Sequence, residues 1–80
     1  MKIVEAYMKF GLYRQWKEAV SRAMIENGID EQNSDLHLVI CEHMESDETD
    51  YPISNESECL KNLHTAASKA AAAVCREHNL

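Results

Sequence analysis

Along residues 2–10 apolar and polar positions alternate, with Val4, Ala6, Met8 and Phe10 on one side and Glu5 and Lys9 on the other. A period of two predicts a strand. A helix is the competing reading, because Val4, Met8, Leu12, Trp16, Val20 and Met24 recur every four residues. Gly11 weighs against it, since a glycine in a helix interior costs about 1 kcal/mol relative to alanine. A strict spacing of four also drifts by about 40° per step from any one face of a helix with 3.6 residues per turn. The start of the chain is therefore read as a strand.

Residues 12–27 follow as an amphipathic helix. Leu12, Trp16, Ala19, Val20, Ala23 and Met24 form an apolar stripe, opposite Arg14, Lys17, Glu18, Ser21 and Arg22. Asn27-Gly28 ends it, because glycine adopts the left-handed conformation beyond a last turn and Ile29 can fold back onto the helix. Leu36–Met44 alternates again, Leu36, Leu38 and Ile40 against His37, Val39, Cys41 and His43, and reads as a second strand. Asn55, followed three residues later by Glu58, resembles a capping box that opens a helix over residues 56–77. The stripe of that helix (Leu60, Leu63, Ala67, Ala70, Ala71, Val74) is small in its second half and permits close approach of a neighbour.

The order strand, helix, strand, helix predicts one small α+β (α/β) domain over residues 1–80, a two-stranded sheet packed by two helices. A small all-α bundle, with 36–44 as a short helix, is the alternative. Two strands are few for a stable sheet, and Ile3, Tyr7, Val39 and Cys41 would lie on its second face. A partner or a second copy is expected to cover them.

Composition narrows the class. With 45% apolar and 28% charged residues in 80, the chain is a folded globular type, and it is too short for more than one domain. Its longest apolar run, Ala70–Cys75, falls far short of the roughly 20 residues of a membrane span. Lys2, Glu5, Lys9 and Arg14 break any signal-peptide apolar region. Three cysteines (Cys41, Cys59, Cys75) cannot all pair within the chain, and reduced thiols in the cytoplasm are expected.

The net charge of −6 is unevenly placed. Residues 1–25 carry a balance of +3 and residues 59–80 one of +2, whereas residues 26–58 contain eleven acids and neither Lys nor Arg. Such a segment repels nucleic-acid phosphates and attracts a basic protein surface.

Chemical motifs are weak. Cys41 and His43 lie two apart and Cys75 and His78 three apart, enough for a tetrahedral zinc site if strand and helix ends met, though not at the usual ligand spacings. Cys59 with His64, or Cys41 with His37 or His43, lacks a third member and an oxyanion loop. Asp47–Asp50 lacks the glycine and terminal glutamate of a calcium loop, and two glycines in all exclude a phosphate-cradling loop. Tyr7, Phe10, Tyr13 and Trp16 among Lys2, Lys9, Arg14 and Lys17 could stack on bases, but they read more simply as core and wet helix face. No enzyme and no cofactor is expected.

The leading expectation is a small acidic protein that binds a basic, nucleic-acid-binding surface of a larger complex. Its size and charge are those of phage and mobile-element inhibitors that mimic nucleic acid, anti-CRISPR proteins among them. Glu42, Glu45, Asp47, Glu48, Asp50, Glu56 and Glu58 would supply the charge and Tyr51 the apolar anchor. A metal or redox regulator built on Cys41, His43, Cys75 and His78 is one alternative. A structural homo-oligomer, its basic N-terminal zone meeting a neighbour's acidic middle, is the other.

Overall fold

In the computed structural model, which describes residues 1–79, Gly11 ends one helix instead of interrupting another. Its φ is +65°, and the amides of Gly11 and Leu12 donate to the carbonyls of Met8 (3.2 Å) and Tyr7 (2.9 Å). This is the paired turn that closes a helix through a left-handed residue. The four-residue series from Val4 to Met24 is thereby split between α1 (Ile3–Lys9) and α2 (Tyr13–Glu26). The drift that argued against one long helix is absorbed by the turn.

The same device recurs at Gly28 (φ +73°), where Gly28 and Ile29 donate to Ile25 (3.1 Å) and Met24 (2.8 Å). Ile29 folds back and is buried, as the sequence predicts. The second expected strand is also a helix, α3 (Ser34–Glu45). Its start is fixed by Asn33, whose Oδ1 accepts from the Leu36 amide at 3.1 Å. Ile40 and Met44 are buried and Leu36, Val39 and His43 half-buried, the three-and-four spacing of a helix, while Leu38 stands 61% exposed. The sheet is thus overturned, with no strand among the described residues, and the architecture is the all-α bundle.

The last helix, α4 (Glu56–His78), begins as expected: Asn55 Oδ1 accepts from the Glu58 amide at 2.9 Å. At a rise of 1.5 Å per residue its 23 residues span about 34 Å. That matches the 36 Å long dimension of the molecule, so α4 is the spine against which α1, α2 and α3 all pack. Ala66, Ala67, Ala70 and Ala71 are buried along it, and their methyl groups leave room for the larger Trp16, Val20, Met24, Ile40 and Met44. Ala6, Leu12 and Cys59 form a smaller cluster that holds the end of α1 to the start of α4.

The residues expected to line a bare second sheet face are covered. Ile3 is fully buried, and Tyr7, Val39 and Cys41 pack against the core. The sheet-based reason for self-association disappears with the sheet.

Candidate partner-binding surface

The segment joining α3 to α4, residues 46–55, is a strap held down at several points. The Met1 amine donates to Asp50 Oδ1 and to the Tyr51 carbonyl (3.0 Å), and the Tyr51 amide donates to the Met1 carbonyl (2.9 Å). Lys2 Nζ lies 3.1 Å from Glu48 Oε2. Lys69 Nζ lies 3.8 Å from Asp47 Oδ1 and donates to Thr49 Oγ1 at 3.2 Å.

Asp47 is the knot of the strap. Its carboxylate accepts from the Thr49 amide (3.0 Å) and from the Tyr51 hydroxyl (2.6 Å). Partial burial works to raise this carboxyl, but the bonds from Thr49 and Tyr51 and the charge of Lys69 outweigh it and hold it below the ordinary carboxylate value. Burial, then the carboxylate beside it, pushes the Tyr51 phenol up to about 12. The Tyr51 ring is 8% exposed and belongs to the main core. The ring expected to anchor a partner is packed in the chain's own core and offers a partner little surface.

The remaining acids divide by what the helices do with them. Glu56 and Glu58 lie in the first turn of α4 and Asp35 in the first turn of α3, where negative charge is favoured by the exposed amides. Glu58 also accepts hydrogen bonds from the Ser54 amide (3.3 Å) and the Ser54 hydroxyl, one residue short of the reciprocal capping bond expected. Glu42 and Glu45 differ. They occupy the last turn of α3, its negative end, both exposed and neither in an ion pair among the described residues.

Spacings of three, four and three place Asp35, Leu38, Glu42 and Glu45 on one side of α3. Leu38 is thus a large apolar side chain in water, framed by three carboxylates. Sequence reasoning missed it because period two counted Leu38 as core. Once α3 is recognised as a helix, Leu36, Val39, Ile40, His43 and Met44 form the inward stripe and leave Leu38 outside it.

The proposed metal ligands point to different places. Cys41 Sγ lies 3.7 Å from His37 Nδ1, His43 Nε2 lies 3.2 Å from Glu77 Oε2, and Cys75 Sγ donates to the Asn27 carbonyl at 3.7 Å. Among the described residues no three His, Cys, Asp or Glu side chains are grouped to hold an ion. Partial burial pushes the Cys41 thiol up against a smaller opposing contact from Trp16, and burial raises Cys59 as well. Activation of a nucleophile requires the opposite shift. The N-terminal aromatics pack on each other, Tyr7 with Trp16 at 4.1 Å and Tyr7 edge-on to Tyr13 at 5.5 Å between centroids.

No family model matches the chain, and no curated protein or solved structure is similar to it.

Proposed function

We propose that the protein is an acidic interaction module whose α3 face docks on a basic, phosphate-binding surface of a larger protein and competes there with nucleic acid. One observation carries the reading: at the negative end of α3, beside the exposed Leu38, Glu42 and Glu45 have no ion-pair partner among the described residues. Neither the cap chemistry nor the ion pairs of the fold account for them. A partner rich in Lys and Arg supplies the missing countercharge and speeds encounter, while Leu38 gives a central apolar contact inside the charged frame. Glu48, Asp50 and Asp47, bound to cations of the chain itself, contribute weaker fields. The size and charge of the chain agree with an inhibitor, such as those that phages and mobile elements direct against nucleic-acid-binding defence complexes.

The test is capture from a lysate of the cells in which the protein acts, with parent and Glu42→Lys/Glu45→Lys baits side by side. A basic protein is expected on the parent bait, released by salt or by added duplex DNA and lost from the charge-reversed bait. Its equal retention on both baits removes α3 from the interface and ends the proposal.

A further inference from the structure

The outer face of α2 carries its own pattern. Arg14, Glu18, Ser21 and Ile25 follow one another at spacings of four, three and four, flanked by Lys17 and Arg22. With Glu26 and Glu31 they line a shallow groove open to solvent. Ile25 is 58% exposed there, and the opposite side of the helix (Trp16, Val20, Ala23, Met24) is buried against the bundle. The charges on this face are three cations and three acids, ordered along the helix so that Arg14 and Lys17 lead and Glu26 and Glu31 trail.

That order is self-complementary. When two helices cross antiparallel at a common residue, a side chain several residues before the crossing meets one a similar number after it on the other helix. Taking Ser21 as the crossing, Lys17 lies four residues before it, while Ile25 and Glu26 lie four and five after it. Glu18 lies three before and Arg22 one after. Arg14 lies seven before, and Glu31 lies ten after, beyond the reversal at Gly28. Lys17 thus meets Glu26 to within one residue of its mirrored position, Glu18 and Arg22 match to within two, and Arg14 and Glu31 to within three, past the end of the helix. Ser21 is small enough to let the two helices approach, and Ile25 lies over the aliphatic stem of the other copy's Lys17. Arg14 Nε already sits 3.6 Å from Glu18 Oε1 within the helix, so this pair is shared with, and not created by, the contact.

The geometry points to a second copy of this chain as the occupant of the α2 face, in a two-fold dimer with the α2 helices antiparallel about Ser21. An isologous contact requires a patch that complements itself, and this one does. A partner of single-sign charge, whether nucleic acid or a basic surface, would meet repulsion from half of the face. The last turn of α2 contains Glu26 and no cation, and the other copy's Lys17 supplies the countercharge that this helix end lacks. Leu38 lines a neighbouring groove together with Lys17, Ser21 and Glu31, so the dimer borders the α3 surface at Leu38.

Sedimentation of the parent, Lys17→Glu, Glu26→Lys and the combined Lys17→Glu/Glu26→Lys protein tests the assignment. Both residues are exposed, and unchanged far-UV circular dichroism verifies that each variant folds. The parent is expected to dimerise, with each single reversal weakening the dimer about tenfold, since two-fold symmetry counts every lost attraction twice. The combined variant restores the pairing with its sign exchanged and returns to within about threefold of the parent. A parent still monomeric at about 500 μM overturns the assignment. So do single variants that dimerise like the parent, or a combined variant as weak as either single one. Glu42→Lys/Glu45→Lys leaves the dimer unchanged, which separates this result from the fate of the α3 reading.

Discussion

Replacing Asp47 by alanine tests whether the strap is part of the folded structure or only lies upon it. The carboxylate is lost from three partners: the Thr49 amide at 3.0 Å, the Tyr51 hydroxyl at 2.6 Å and Lys69 Nζ at 3.8 Å. Lys69 is 63% exposed, so its charge contributes little, about 0–1 kcal/mol. The hydroxyl of Tyr51 matters more, because its ring is buried and an unpaired polar group left beside the core costs about 1–3 kcal/mol. Together the losses come to about 2–3 kcal/mol, a large part of the roughly 4–12 kcal/mol expected for a domain of this length. Tyr51→Phe, which leaves Asp47 its other partners, costs about 1 kcal/mol. A double-mutant cycle between the two should return a coupling of about 1 kcal/mol. Urea unfolding followed by far-UV circular dichroism measures all three.

The pH dependence gives an internal check, because the Asp47 carboxyl is held below its ordinary 3.8 in the fold. A depressed carboxyl contributes its stability in full above the unfolded value and loses it as pH falls through the folded one. The gap between parent and Asp47→Ala is therefore constant near neutrality and closes in acid below about pH 4. An Asp47→Ala protein within about 0.5 kcal/mol of the parent at pH 7 refutes the argument, as a surface substitution would behave that way.

Gly11→Ala and Gly28→Ala should each cost about 1–2 kcal/mol, because both positions are left-handed, and an added Cβ at either site has no atom within 4 Å to strike. Thermal melts of the single and double variants check this, and additivity is expected because the glycines end different helices. Asn33→Ala and Asn55→Ala each remove the side chain that caps a helix start and should lower stability by about 1 kcal/mol in the same melts. With the Tyr51 phenol raised to about 12 from 10.0, the unfolded chain releases its proton first. Stability thus falls as pH rises from 10 toward 12, and Tyr51→Phe should flatten that slope in alkaline urea titrations.

What the sequence disclosed follows the length of each element. α2 and α4 are legible because each shows several turns of apolar stripe and a recognisable end, Asn27-Gly28 in one and Asn55 with Glu58 in the other. α1 has seven residues, and over two turns Val4, Ala6, Met8 and Phe10 fit a strand as well as a helix. The deciding signal was Gly11, which suits a helix terminus as well as it offends a helix interior. In α3 the chance alternation of Leu36, Leu38 and Ile40 outweighed Asn33, whose cap was available to be read. The strap was illegible for a different reason. Its ties run from Met1 and Lys2 to Asp50 and Glu48, and from Lys69 to Asp47 and Thr49. Nothing in the local composition of residues 45–55 announces contacts with residues so far along the chain.

The acids of residues 26–58 look equivalent in the sequence, yet the fold assigns them different electrostatic positions, and two of them are badly placed for stability. The C-terminal end of a helix carries partial negative charge from its unpaired carbonyls and favours cations by about 0.3–1 kcal/mol per residue near the surface. α3 ends instead with Glu42 and Glu45, relieved only by His43, which is itself engaged with Glu77. Replacing both glutamates with lysine converts two unfavourable charges into favourable ones without touching a buried atom. The free protein should gain about 1–2 kcal/mol, a rise of about 4–8 °C in Tm per kcal/mol for a domain of this size. The same variant should lose the basic partner. A substitution that stabilises the fold and abolishes binding marks residues kept for recognition at the expense of stability. Calorimetry of parent and variant at low and at high salt decides the first half, since screening must shrink the gain if the helix end is its source. A variant no more stable than the parent would mean that Glu42 and Glu45 sit where the fold tolerates them. Their position would then be no worse for stability than that of Glu56 and Glu58, whatever the binding experiment returned.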